Sequence, residues 1–249
     1  MSAEEGAFAR ATGRTAEREE GGHDKPRYRR YQFDLIAPPL RAQRAGGGGA
    51  GLGEFASQFT GLDRLVVTDV DPDAVKVMKA RFAGRGEVEA AQFDLACGAS
   101  LDRPVETAIA INVLEHFEDD AALLTLLGRS VTPGGTLVLW VPAYQSLYGD
   151  FDRKVGHFRR YTPATLRDAA VRAGLEVELS RPVNLLGGIA WWAAVRLGKA
   201  GSPKAGAVGL YDKVLVPVTR VLDRVLPIPF GQSILGVFRV PGDRGHAAS

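Results

Sequence analysis

Cysteine is almost absent from this chain: the only thiol is Cys97. A lone cysteine excludes an internal disulfide and suits a reducing compartment. It falls in an expected loop after a strand and reads as an incidental small side chain, not a catalytic thiol. Long apolar runs are missing too. The longest, Leu185–Val195, falls well short of the roughly 20 residues that span a bilayer. Nor is there an excess of charge: 31 Lys and Arg against 29 Asp and Glu leave a formal +2, so nothing argues for a nucleic-acid partner. No secretory leader is visible, because residues 1–25 are rich in Glu, Arg, Gly and Ala and read as a disordered tail. A soluble, cytoplasmic protein is expected. The remaining composition is ordinary: 249 residues, 45% apolar and 24% charged, fit one α/β domain with appendages.

What stands out is Ala45–Pro72, which reads AGGGGAGLG, then a helix-like piece, then LVVTDVDP. Glycines let a backbone approach a ligand closely, and a following helix offers unpaired N–H groups. Asp69 closes the next strand, where a carboxylate can accept hydrogen bonds from both hydroxyls of a ribose. A helix-capping role is the alternative for Asp69, but Asp71 stands better placed for that.

The rest of the chain alternates strand and helix. Arg27–Leu40 is a helix stopped by Pro38 and Pro39, and a short helix begins at Phe55–Phe59. Leu65–Val70 is an apolar strand, and Asp71–Ala83 an amphipathic helix with acids in its first turn. Val88–Leu95, Val105–Val113 and Thr136–Pro142 are the next strands, with a helix over Asp119–Leu127 and a TPGG turn at Thr132–Gly135. A helix opens at Thr162, and strands follow at Leu175–Val183 and Gln232–Val240, the last expected antiparallel at the sheet edge. Between these two, Asn184–Pro229 holds two or three apolar helices. The βαβ alternation implies a parallel sheet covered on both faces.

GAGLG (Gly49–Gly53), VTDVDP (Val67–Pro72), FDL (Phe93–Leu95), NVLEHFEDD (Asn112–Asp120) and TPGGTLVLWVP occur in this order and spacing. Together they resemble the class I S-adenosylmethionine-dependent methyltransferases, closely over Arg27–Ala173 and loosely beyond. The resemblance implies a Rossmann-like, seven-stranded, mostly parallel α/β sheet with an antiparallel last strand. The helical insertion precedes that strand. It divides the chain into a core at 26–183, an insertion at 184–229, a last edge strand at 230–241 and a tail at 242–249. It implies S-adenosylmethionine as cofactor, with Gly49, Gly51 and Gly53 under its methionine part and Asp69 on the ribose. Val70 and Leu95 would flank the adenine, Asp94 would accept from its amino group, and Asn112 would lie near the sulfonium. Leu114 to His116 sit where the family closes the site. No metal is expected.

For acceptor chemistry, Tyr148–Tyr161 (YGDFDRKVGHFRRY) follows the fifth strand and mixes acids, bases and rings. His157 is the candidate base and Arg160 the candidate anchor for an anionic group. The competing reading is a solvated basic loop whose histidine only packs; His116 is likewise either a base or a packed core residue. Tyr28, Tyr31 and Phe33 either lid the cofactor or staple the leading helix to the sheet.

One departure from the resemblance concerns the first strand. Ala45–Gly48 stand where it expects an apolar strand, and Gly47 where it expects an acid. Interior glycine costs roughly 1 kcal/mol of backbone entropy per position. Gln43–Gly49 can be encoded so that a one-base shift reads Ser-Val-Leu-Glu-Val-Gly-Ala, so a local frameshift is one origin of the glycines. The expected function is methyl transfer to a small-molecule or lipid-like acceptor. The alternatives are a non-catalytic homologue and a nicotinamide-dependent oxidoreductase, the latter lacking its second nucleotide-binding half. The apolar insertion would cover the acceptor, form a homodimer interface, contact a membrane surface, or pack on its own sheet.

Overall fold

In a computed structural model the described residues are 25–38, 44–48 (backbone only), 53–95, 98, 101–197 and 209–242. The tails, Gly49, Gly51 and Cys97 lie outside them. The strands are β1 (Arg44–Gly48), β2 (Arg64–Asp69), β3 (Val88–Gln92), β4 (Val105–Ile111), β5 (Val131–Pro142), β6 (Glu176–Val183) and β7 (Ser233–Arg239). They form one sheet in the order β3-β2-β1-β4-β5-β7-β6, parallel except where β7 runs against both neighbours. β7 is therefore not an edge strand as expected. The long excursion after β6 lets the chain return between β5 and β6, which leaves β6 at the margin.

The central strands are buried on both faces, and successive side chains go to opposite sides with the period of two that a sheet imposes. Leu137, Leu139 and Val141 of β5 face one side, with α3 (Asp120–Arg129) and α5 (Pro163–Arg172); Val138 and Trp140 face the other, with α1 (Pro26–Ile36) and α2 (Pro72–Arg81). Trp140 is 1% exposed and has both Tyr28 and Tyr31 edge-on, with centroids 6.4 and 6.1 Å away. Phe33 meets Phe59 at 5.0 Å, so the aromatic residues of α1 staple that helix to the sheet.

Three local expectations are revised. The segment after Gly53 makes only a single 3-10 turn at Ala56–Gln58. The TPGG stretch does not precede β5 but lies within it, as an irregularity where the β4 register shifts between Val105 and Thr107. A Cβ on Gly135 would stand 2.7 Å from the Glu106 carbonyl oxygen, which is why a glycine sits there. Finally, the glycine-filled β1 does form. It pairs on both sides, Gly46 with Val66 and Ala108 and Gly47 with Val67 and Ile109, through ladder hydrogen bonds that need no side chain.

The insertion comprises α6 (Leu185–Arg196), a π-helical turn (Tyr211–Leu215) and α7 (Val216–Val225). A buried polar knot fastens it. The Asn184 N–H donates to Asp223 Oδ2 at 2.7 Å and to the Tyr31 hydroxyl at 2.8 Å, and Tyr31 in turn donates to Asp223. The Asn184 side-chain amide donates to the Tyr211 hydroxyl (2.6 Å) and Gln232 Oε1 (2.7 Å). Asp212 caps α1 from far along the chain, accepting the Tyr28 N–H at 2.8 Å and the Arg27 N–H at 3.3 Å. Asn184 has φ 64, a left-handed backbone that asparagine tolerates better than most residues. Asn184→Ala strands several buried partners in addition to straining this turn, and should lower stability by about 2–4 kcal/mol in urea unfolding monitored by circular dichroism.

Candidate functional site

The strand order reverses between β1 and β4, and in open α/β sheets the crevice beyond the carboxyl ends at such a point is where ligands bind. Three described non-glycine residues have positive φ: Asn112 (51°), Tyr144 (56°) and Asn184 (64°). They directly follow or lie two residues beyond β4, β5 and β6, at the same edge of the sheet. Left-handed backbone at a bulky residue such as Tyr144 marks a position the surroundings over-determine. Its N–H donates to the Tyr161 carbonyl at 2.7 Å, its ring stacks on Phe230 at 4.9 Å, and its hydroxyl donates to the Pro229 carbonyl. Nothing in the sequence pointed to Tyr144.

At this edge Asp69 is 8% exposed. Its Oδ1 accepts the Asp71 N–H at 2.9 Å, which fixes the carboxylate direction, and Asp71 itself caps α2 by accepting from the Asp73 N–H. Asp71 thus makes the helix cap expected of it. The Asp69 carbonyl accepts from the Phe93 N–H (3.0 Å) and the Val70 carbonyl from the Gln92 amide (3.1 Å), tying the ends of β2 and β3 together. Val70, Asp94 and Leu95 are half-buried there. Asn112 holds its turn by donating to the Trp140 carbonyl at 2.8 Å. Gly53 has φ +74, and a Cβ on it would stand 2.8 Å from Phe82 Cε2 and 3.2 Å from Met78 Cγ. Only glycine lets this loop close onto α2 without displacement.

The basic-looking run after β5 is not a solvated loop. It forms α4 (Asp150–Val155), ended by Gly156 with φ 80, and folds back beneath the Leu114–His116 turn that follows β4. Asp152 is the hub, fully enclosed. One oxygen accepts from His157 Nδ1 and from Arg160 Nε, both at 2.8 Å; the other accepts the Gly149 N–H at 2.9 Å. Burial alone would raise the Asp152 carboxyl, but these donors and the charge of Arg160 outweigh it and hold the group below its usual range. Arg160 is 8% exposed, and its guanidinium also lies over the Trp191 ring at 5.4 Å. Its fork is occupied internally, so it is not the outward anchor for an anionic acceptor that its sequence position suggested.

His157 is 5% exposed, and its Nε2 lies 3.8 Å from Oε1 of the enclosed Glu115. The His116 ring meets it edge-on at 4.7 Å. Burial, with help from His157, pushes the His116 imidazole down to about 4, so it is neutral near pH 7. Leu114, 1% exposed, packs in the core beneath.

Residues 45–137 match the sequence profile of the family described as "Methyltransferase domain". This chain carries a methyltransferase domain. The fold agrees with solved structures at low identity. A Haloferax volcanii methyltransferase, solved in complex with the Trm112 activator, has TM-score 0.63 at 19% identity over 95% of this chain and 98% of that one. The N-methyltransferase NodS from Bradyrhizobium japonicum WM9, in complex with S-adenosyl-l-homocysteine, has TM-score 0.60 at 17% identity over 93% and 99%. An S-adenosylmethionine dependent methyltransferase from Mesorhizobium loti has TM-score 0.56 at 15% identity over 84% and 97%. No curated protein matches the sequence.

The methyltransferase domain thus places Gly53, Asp69, Asp94 and Asn112 along one sheet edge, while His116 and His157 meet in a separate enclosed cluster. Asp152 and Glu115 organise that cluster; the sequence reading has both within its candidate segments but gives neither a role. The usable signal was an acid five residues before His157, across a short helix closed by glycine. Gly53→Ala should cost the domain about 1–3 kcal/mol, from positive φ and the Phe82 contact, read as a lowered urea midpoint.

Proposed function

We propose that this chain transfers a methyl group from S-adenosylmethionine to a lipid-like acceptor met at a membrane surface. For the cofactor, the supporting features are the oriented Asp69 carboxylate, suited to paired ribose hydroxyls, and the crevice at the strand-order reversal. Asp94 and Asn112 line the same edge, and Gly53 lies against Phe82 and Met78 of the neighbouring helix end. Bound there, S-adenosylmethionine supplies an activated methyl group, and the protein's part is to position it and exclude water.

The observation that carries the acceptor class is the orientation of the insertion. Leu210, Val214, Val218, Val221 and Val225 recur at helical spacing and are 49–65% exposed, whereas Asp212, Val216, Thr219 and Asp223 face inward. A soluble helix normally does the opposite. Trp192 (44%) and Ile189 (48%) on α6 extend the outward apolar surface. Among the described residues of the insertion the acids are Asp212 and Asp223, both buried, while Lys213, Arg196 and Arg224 are exposed. An apolar stripe flanked by Lys213, Arg196 and Arg224, the last 3.7 Å from Asp34 of α1, suits a bilayer carrying anionic headgroups. A symmetric dimer through the same face would set like charges against each other, which disfavours that use. No described helix is long and apolar enough to cross a membrane, so contact would be peripheral.

The second reading, a homologue that no longer binds its cofactor, is favoured by Gly47 standing where the resemblance expects an acid. Calorimetry with S-adenosylhomocysteine separates the two: binding is expected, and Asp69→Ala should weaken it about 10–100-fold, the worth of charge-assisted hydrogen bonds. No binding by the wild-type chain would support the second reading. For the acceptor class, the protein should float with vesicles containing phosphatidylglycerol and less with pure phosphatidylcholine. Val218→Glu with Val221→Glu should abolish flotation while leaving S-adenosylhomocysteine affinity unchanged; equal flotation by this variant would overturn the membrane reading.

A further inference from the structure

We propose that Glu115, His116 and His157 form a binding site for a divalent first-row transition-metal ion. One ligand atom from each residue lies within 4.8 Å of the others, Glu115 and His157 are buried, and His116 is partly open to solvent. Two imidazoles and a carboxylate are a donor set that suits Zn²⁺, Fe²⁺ or Co²⁺ better than Mg²⁺ or Ca²⁺.

Three features argue that the cluster is built for an ion and not merely packed. The first is the orientation of His157. A carboxylate only accepts hydrogen bonds, so the 2.8 Å contact with Asp152 puts the proton on Nδ1 and aims Nε2 at Glu115. A carboxylate behind the far nitrogen is the usual support of a metal-binding histidine. Asp152 is itself fixed by Arg160 and the Gly149 N–H, which makes it a positioning residue in this scheme.

The second is distance. His157 Nε2 and Glu115 Oε1 are 3.8 Å apart, beyond hydrogen-bond reach. Two ligands about 2.1 Å from one tetrahedral ion stand about 3.4 Å apart, so this pair needs only a small contraction. A proton shared between the two groups would instead draw them to within about 3 Å.

The third is the remaining nitrogens. Among the described residues neither His157 Nε2 nor His116 Nδ1 has a hydrogen-bond partner, although both are buried atoms. Buried polar atoms without partners call for an explanation. Protonation of His157 would address one of them and leave His116 Nδ1 unexplained; an ion addresses both.

Three protein ligands leave coordination positions open, as at catalytic and not structural sites. Glu115 and His116 follow β4 within four residues of Asn112. An ion here would act as a Lewis acid on an oxygen of the acceptor. The binding claim itself does not depend on the methyltransferase reading.

Untagged full-length protein, stripped with chelator, would be titrated with Co²⁺ and followed by its visible absorption. One Co²⁺ per chain, with bands of nitrogen-ligated cobalt and displacement by Zn²⁺, is the expected result. His116→Gln, at the partly open position, and Glu115→Gln should each weaken binding at least tenfold. Asp152→Asn should weaken it about 10–100-fold while leaving the three ligands in place. The circular dichroism spectrum and urea midpoint of each variant report whether it is folded. If a buried variant does not fold, His116→Gln and the wild-type spectrum decide the matter. No saturable Co²⁺ binding by the wild type, or binding unchanged in the folded His116→Gln variant, overturns the proposal, whatever the cofactor result.

Discussion

The buried hydrogen bonds around Asn184 govern how the two parts of this molecule relate. Its backbone N–H, presented by a left-handed turn at the end of β6, is shared between Asp223 and the Tyr31 hydroxyl. That single point joins the sheet, the leading helix and the insertion. It also sets the rotation of α7. With Asp223 turned inward to the knot and Asp212 turned inward to cap α1, the valines on the opposite side of the helix have nowhere to go but out. The apolar surface follows from where the acids are needed, and it is tolerated because each buried acid has donors waiting.

The same economy of buried charge operates at the other end of the site. Asp152 satisfies an arginine, an imidazole N–H and a backbone N–H with one carboxylate, and so converts a run rich in Arg and Lys into an enclosed element. Arg159 and Arg172 are likewise drawn onto Asp120, against which Tyr161 also hydrogen-bonds. Charges that look available in the sequence are mostly committed to internal partners. The surface formed after β5 is therefore less basic than its composition suggests.

How much of this was legible in the sequence depended on the range of the interaction. β2, β4 and β5 were readable because buried parallel strands are continuous apolar runs, and α2 because Asp71 and Pro72 announce its first turn. That Asp71 and not Asp69 caps α2 was readable for the same local reason. The position of β7 was not, since an antiparallel strand carries the same pattern at an edge or between neighbours. The cap on α1 was not readable either, because Asp212 is distant in sequence and no local pattern records it. Arg160 misled because a local reading counts its charge and cannot see Asp152 beneath it.

The glycine strand tests how far side chains are needed at all. In β1 the ladder to β2 and β4 is made by the backbone, and both neighbours are rigid: β2 is packed through Leu65, Val66 and Val67, and β4 through Ala108, Ile109 and Ala110. A central strand flanked by two well-packed ones is templated on both edges, so the entropy lost by its glycines is offset by hydrogen bonds that would otherwise be stranded in the sheet interior. The same argument would not hold at β3 or β6, which have a partner on one side only. Glycine in β1 thus threatens the architecture less than it threatens the ligand, since the ladder needs only main chain whereas an acid at position 47 would have to be supplied by a side chain.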